Sequence, residues 1–416
     1  VPTVRDILDV VRGGVIRTFN IQSTAKTAVD LGNTDALRIR ATVAGGTIFI
    51  PGPVLTLTDV GGDVVIERGV LEGSGIDARA GNIRATGGSL RLGITGDDPL
   101  FHTEFLADAD MEETHSLLRR VVPGNDFREE LERIHDIRGE VSGRVVLGER
   151  LSSIDVRFTA SNPRITARYD RIPLPVALAG GEVVYDGSSV AVTELRGSVG
   201  ASTFSGIAGN VALSDRQVLS IRAGSGRFLL GELFPWISSF DAIRKAAGEV
   251  RSVRGTIALD SLSLAGPLSG SGAWTFDIAG GFSDLTLDAL PIPGPLTVPS
   301  ARFRIRPESA SFSDVQASFL DSSGRGSLEL GGYRQGTERI TASFEGGVGP
   351  ELAKWAYGRI GIPETFRVKA PFAVTGAEFS REKDGTVRAK AALGFQGVTS
   401  LSFAAVVTPE RTTIDP

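Results

Sequence analysis

Cysteine is absent from the chain, which excludes disulfides and thiolate metal sites. No run of about 18 apolar residues occurs, so no segment reads as a membrane-spanning helix. A basic stripe is missing too. The 44 Lys and Arg are interleaved with 49 Asp and Glu for a net charge of −5, which argues against nucleic acid as a partner. There is no G-x-S-x-G, no G-x-x-x-x-G-K-[ST] and no G-x-G-x-x-G. The three histidines, His102, His115 and His135, show neither H-x-x-x-H nor H-E-x-x-H spacing and read as surface side chains. The acidic run DADMEE at 108–113 lacks the turn glycine and distal Glu of a calcium loop. It reads instead as the acidic start of a helix. These absences leave no catalytic residue, no metal site and no cofactor to assign, and the expectation is a protein that is not an enzyme.

Glycine, by contrast, is abundant. The 52 glycines in 416 residues are about one in eight, against a typical ~7%. They are scattered among alternating apolar segments rather than gathered into a linker, a pattern of many short strands joined by tight turns. The length exceeds the roughly 250–300 residues at which a single core stops growing, so several domains or a repeat array are expected.

Proline supplies the register of that array. Ile50-Pro51-Gly52-Pro53, Ile172-Pro173-Leu174-Pro175 and Ile292-Pro293-Gly294-Pro295 recur about 120 residues apart. Each is followed by an alternating strand, a polar turn, a second strand, a Gly/Ser break, and a strand ending in Leu92, Leu213 or Leu330. A helical pattern comes next. It reads as two short helices split at Pro123-Gly124 in the first copy, a segment broken by Pro235 in the second, and one with Pro350 at its first helical position in the third. Further strands close each cycle, at about seven strands per copy.

The expected divisions are therefore 1–49 as the trailing helix and strands of a preceding repeat, 50–171 as repeat one, 172–291 as repeat two, and 292–416 as repeat three, incomplete. The helix of the first segment is expected in TVRDILDVVRGG. The chain reads as a piece of something longer, entering and leaving mid-repeat. Because proline cannot donate to a central ladder and forces its predecessor into extended geometry, I-P-x-P is expected to mark an unpaired crossing between strand groups.

Period-two alternation fixes the candidate functional face. Phe303 and Ile305 share one side, with Arg302, Arg304 and Arg306 on the other. Val64 alternates with Ile66, Val183 with Tyr185, and Val190 with Val192. Trp274, Phe276 and Ile278 form another set, as do Leu285 with Leu287 and Leu401 with Phe403. One oily and one wet face is the signature of antiparallel sheets covered on one side. Two arrangements satisfy it: a closed barrel or sandwich packed on itself, or a sheet curled into a trough whose lining meets a ligand. Phe outnumbers Tyr 21 to 4, a bias toward a dry lining over a surface with polar handles.

The ~120-residue cycle of P-x-P, GGEVVYDGSSVAVTEL, GSVGASTFSGIAGNVAL and a short helix resembles the AsmA-like superfamily, including its TamB-type and YhdP-type proteins of Gram-negative envelopes. The resemblance runs from about Val15 to Val407. It rests on glycine and alternation patterns, without any invariant chemical residue. It implies a mainly β, elongated repeat architecture: an antiparallel-rich curled sheet forming an apolar trough, with a short helix inserted in each repeat. It further implies a periplasmic protein that moves phospholipid between inner and outer membranes, held by an inner-membrane anchor outside this segment. On that reading the apolar residues named above contact lipid. Two alternatives stand beside it: a scaffold for assembling outer-membrane β-barrel proteins, whose strand edge templates the client, and a parallel β-helix acting on polysaccharide.

Overall fold

The computed structural model describes residues 11–24, 37–50, 55–94, 98–121, 125–150, 152–213, 217–240, 244, 248–268, 273–332, 337–360, 364–395, 398–408 and 411–415. The protein is mainly β and antiparallel, and it divides into two units.

The first unit holds β1 (Val11–Ser23), β2 (Leu37–Ile50), β3 (Leu55–Glu67), β4 (Val70–Ala80), β5 (Ile83–Gly93), β6 (Leu100–Asp110), β7 (Ile134–Arg150), β8 (Ser153–Tyr169), β9 (Ile172–Tyr185) and β10 (Ser189–Val199). Each strand pairs antiparallel with the next. Between β6 and β7 lie α1 (Met111–Val121) and α2 (Asn125–Glu132). β11 (Ser202–Ala212) is divided: its residues through Gly209 belong to the second unit and those from Asn210 to the first.

The second unit continues with β12 (Val218–Leu229), α3 (Leu230–Ile237), β13 (Val250–Pro267), β14 (Thr275–Ala289), β15 (Leu296–Arg306), β16 (Ser309–Phe319), β17 (Ser322–Gly331) and β18 (Arg339–Val348). It ends with α4 (Pro350–Ile360), β19 (Phe372–Arg381), β20 (Val387–Phe395), β21 (Val398–Val407) and β22 (Thr412–Asp415). From β12 to β22 each strand again pairs antiparallel with the next. Among the described residues neither ladder closes on itself, and no pairing is parallel, which is incompatible with a parallel β-helix.

The described elements run in cycles of six strands, not seven. Helices come after β6, β12 and β18, and the proline motifs precede or open β3, β9 and β15. Left-handed backbone positions recur with the same period: Gly45, Asn162 and Asp284, then Gly75, Glu194 and Asp314, each about 120 residues after the last. These are bulge positions, where an extra residue advances the side-chain alternation by one. At about 4.8 Å per strand, a six-strand cycle advances about 29 Å.

Several sequence expectations are corrected. Val11–Gly14 open β1 instead of ending a helix, and residues 1–10 lie outside the described residues. Pro173 and Pro175 stand inside β9, whose flanking residues Ile172 and Val176 pair with Tyr169 and Ala167. Extended φ and a tolerated gap in the ladder let proline sit there. Ile292–Pro295 instead forms the turn between the neighbouring strands β14 and β15, so it is a hairpin connection and not a crossing between groups. Pro51-Gly52-Pro53 lie outside the described residues. Pro235 does not break its helix: α3 runs through it for eight residues. Pro350, by contrast, does occupy the first position of α4.

One helix of each cycle is tied to a turn in that cycle. The Glu113 carboxylate of α1 accepts from the Asn82 backbone N–H at 2.8 Å and from its Nδ2 at 2.7 Å. Glu232 of α3 accepts from the Ala201 N–H at 3.0 Å. In the third cycle the direction reverses, and Asp321 of the turn accepts from the first-turn amides of α4, Glu351 N at 2.8 Å and Leu352 N at 3.1 Å. The preceding turn residue is left-handed in all three cases, Gly81, Gly200 and Leu320. A Cβ on Gly81 or Gly200 would fall inside contact distance of the Glu113 or Glu232 carboxylate. Leu320 has that Cβ, so the carboxylate in its cycle comes from the turn instead. Ser202 and Ser322 complete the tie, their hydroxyls accepting from Leu229 N at 3.0 Å and Gly349 N at 2.9 Å. Asp110 caps α1 through Glu112 N at 2.8 Å, the acidic helix start expected from DADMEE.

Candidate functional site

Cross-strand pairing carries apolar side chains from strand to strand. In the second unit one row runs Leu262, Ile278, Ile305, Ala310, Leu330 and Ile340, each opposite the next. The adjacent row runs Leu259, Gly280, Phe303, Phe312, Leu328, Ala342, Phe379, Ala389 and Ala405. A third joins Phe344, Ala377, Ala391 and Phe403. Phe276 stands opposite Leu264, and the Trp274 ring lies against Gly266 beside it. Leu285 and Leu287 pair with Val298 and Leu296 beyond the bulge at Asp284. Leu401 pairs with Leu393.

In the first unit, Ile39 faces Ile66, which faces Leu71, then Leu92 and Phe101. Val64 belongs to the same face, opposite Ala41 and Gly73. Phe158 faces Tyr185, which faces Val190, and Val183 faces Val192 one step along. All the alternating residues singled out in the sequence thus fall on the apolar side of their own unit's ladder.

Exposure distinguishes this face from an ordinary core. Of the fifteen residues, Tyr185 and Phe303 are buried, Leu401 is exposed, and the rest are half-buried. Phe303 owes its burial to neighbours on its own sheet, with the Phe282 ring 4.7 Å away. Phe379, Ile21 and Phe19 are exposed by 38%, 51% and 59%. Helices cover only an end of the face: Trp355 of α4 packs edge-on against Phe319 at 5.3 Å, and Leu230 and Leu233 of α3 are buried.

The opposite face is charged and self-neutralising. Arg304 and Arg306 both bond Asp277, at 2.7 and 3.1 Å, and the Arg304 hydrogen bond above all pulls the Asp277 carboxyl down to about 2. Arg325 pairs with Glu345 at 3.1 Å, and Arg144 with Glu104 at 2.7 Å. A hollow of about 780 Å³ opens in the second unit. Its lining draws on both sides of the ladder: Arg325, Ser327, Ser343 and Glu345 of the charged side, and Phe344 and Phe403 of the third apolar row. Ser327 and Ser343 bond each other at 2.7 Å.

The histidines stand apart from one another. His115 Nε2 meets the Leu131 carbonyl at 2.8 Å and His135 meets Asp170 at 3.1 Å. Among the described residues no group of three His, Asp or Glu converges as a metal site, and no helix is long and apolar enough to cross a membrane. Residues of the apolar face that alternation alone missed include Phe282, Phe312, Phe344 and Phe379. Phe312 is succeeded on its face by Val315, not Asp314, because Asp314 is a left-handed bulge. An acidic residue breaking the alternation was the available signal.

No family model, curated protein or solved structure matches the chain.

Proposed function

We propose that the apolar face holds the acyl chains of phospholipid and lets them move across successive strands, making the protein a non-enzymatic lipid conduit. The observation that supports this is the set of half-exposed apolar rows, each running over several successive strands. Burying one CH₂ is worth about 0.8 kcal/mol, so a chain of some fifteen methylenes gains on the order of 12 kcal/mol by leaving water. A face that repeats the same side-chain types has no deep trap along it, and its open side leaves a polar head hydrated. Ten strands from β12 to β21 at about 4.8 Å span about 43 Å, against about 15 Å for one leaflet of a bilayer core. The route from inner to outer membrane, the periplasmic setting and an anchor outside this segment belong to the proposal through the AsmA-like resemblance.

Native mass spectrometry of the purified protein tests the reading. Phospholipid should co-isolate with the wild type and be lost from Phe276→Asp and Leu401→Asp, whose sites are half-buried and exposed. Lipid retained by both folded variants at the wild-type level would contradict it. A charge at Phe303 is a poorer probe, since that ring is buried and its loss strikes packing first.

A further inference from the structure

Arg381 stands within the outermost apolar row of the second unit. It stands opposite Ile340 on β18 and opposite Val387 on β20, which in turn faces Val407. Two positions earlier on the same face is Phe379, itself exposed. No bulge intervenes between them, so the alternation that puts Phe379 on the apolar side puts Arg381 there as well. Among the described strands of the second unit it is the one charged residue whose pairing with Ile340 and Val387 sets it in an apolar row.

Its charged neighbours are already engaged with one another. Arg339 pairs with Glu382 at 3.8 Å, Lys383 pairs with Glu338, and Asp384 accepts from the Thr386 amide at 2.8 Å. Arg381 is exposed and has no side-chain partner among the described residues. An arginine at this place has a stem that lies along apolar surface and a planar fork that reaches the rim. That fork matches the oxygens of a phosphate and exceeds an ammonium in doing so.

We propose that Arg381 receives the phosphate of an anionic amphiphile whose chain lies along the Phe379 side of the face, so that the conduit prefers anionic phospholipid. This rests on the acyl-chain reading above and adds selection of the headgroup. An isolated cation on an otherwise apolar face is what separates the preferred ligand from a neutral lipid, which would satisfy the rows equally but leave the guanidinium to water.

The test is titration of the whole chain, below their micelle concentrations, with dodecyl phosphate, dodecyl maltoside and inorganic phosphate. Dodecyl phosphate is expected to bind about five- to tenfold more tightly than the maltoside, with an advantage that shrinks as salt rises. Inorganic phosphate should bind far more weakly than either. Arg381→Gln should erase the advantage and leave maltoside binding unchanged, while Arg381→Lys should keep part of it. Equal binding of both detergents, an unaltered preference in Arg381→Gln, or inorganic phosphate binding as tightly as dodecyl phosphate overturns the headgroup role alone. Binding of neither detergent overturns the acyl-chain reading and this inference with it.

Discussion

Three turns place a residue in the left-handed region at the same point of their cycles, and the choice of residue there decides which partner supplies the carboxylate. Gly81 and Gly200 leave room for a glutamate from the helix, while Leu320 fills that room and the aspartate beside it takes over. Gly200→Ala should therefore cost more than Gly75→Ala. Both force a Cβ into left-handed geometry at about 1 kcal/mol or more, but only at Gly200 does the new atom meet the Glu232 carboxylate, whereas nothing lies within 4 Å at Gly75. The difference is expected in urea midpoints, and equal losses would remove the steric basis of the tie. Acid sensitivity is also set residue by residue. Asp186 is drawn down to about 2, mainly by the amides of Ser188 and Ser189, and Asp277 to about 2, mainly by Arg304. Asp321 is lowered chiefly by the Glu351 amide. A folded pKa below the ordinary ~3.9 favours the folded state above that value, and the contribution disappears as pH falls toward the folded pKa. Stability should accordingly drop between about pH 4 and pH 2, and Asp186→Asn should flatten that slope. A slope unchanged in that variant would dismiss Asp186 as a contributor.

In the second and third cycles, helix, turn and strand cooperate through one buried hydroxyl each. Ser202 is fully buried and holds Leu229 N where β12 gives way to α3; Ser322 does the same for Gly349 ahead of α4. Removing either hydroxyl strands an amide inside, so Ser202→Ala and Ser322→Ala should each lose about 1–3 kcal/mol by chemical denaturation. A loss well under 1 kcal/mol in both would mean that water satisfies those amides. At this scale the sequence was only partly readable. Strand alternation, the paired helices of the first cycle and the Pro350 helix start are all written in local pattern. The bulges leave only a faint mark, an Asp, Glu or Asn that interrupts the alternation, and each shifts the phase of the residues after it. Phe312, Phe344 and Phe379 escaped for a different reason: Ala310, Ala342 and Ala377 hold the preceding position on their face, so no large apolar pair marks the stripe as Phe303 and Ile305 do. Arg381 lies two residues beyond Phe379 with no bulge between them, but the run of alternating charges that it opens drew attention away from the shared face. Prolines misled for a related reason: Pro173 and Pro175 are as extended as the strand they stand in.

For the whole molecule, the proposed conduit depends on which side of each ladder meets hydrocarbon. The wet face uses its charges on itself, through Asp277 with Arg304 and Arg325 with Glu345. The other presents rows of Phe, Leu, Ile and Val that are half-buried where a sealed core would have hidden them. Photocrosslinking with a phospholipid bearing a diazirine in its acyl chain addresses this most directly, with labelled residues located by peptide mass spectrometry. Label is expected on Leu262, Phe276, Ile305, Phe379 and their row neighbours, and absent from the alternating positions Asp277, Arg304 and Glu378. Label spread evenly over both parities, or found on the charged side alone, would contradict the conduit.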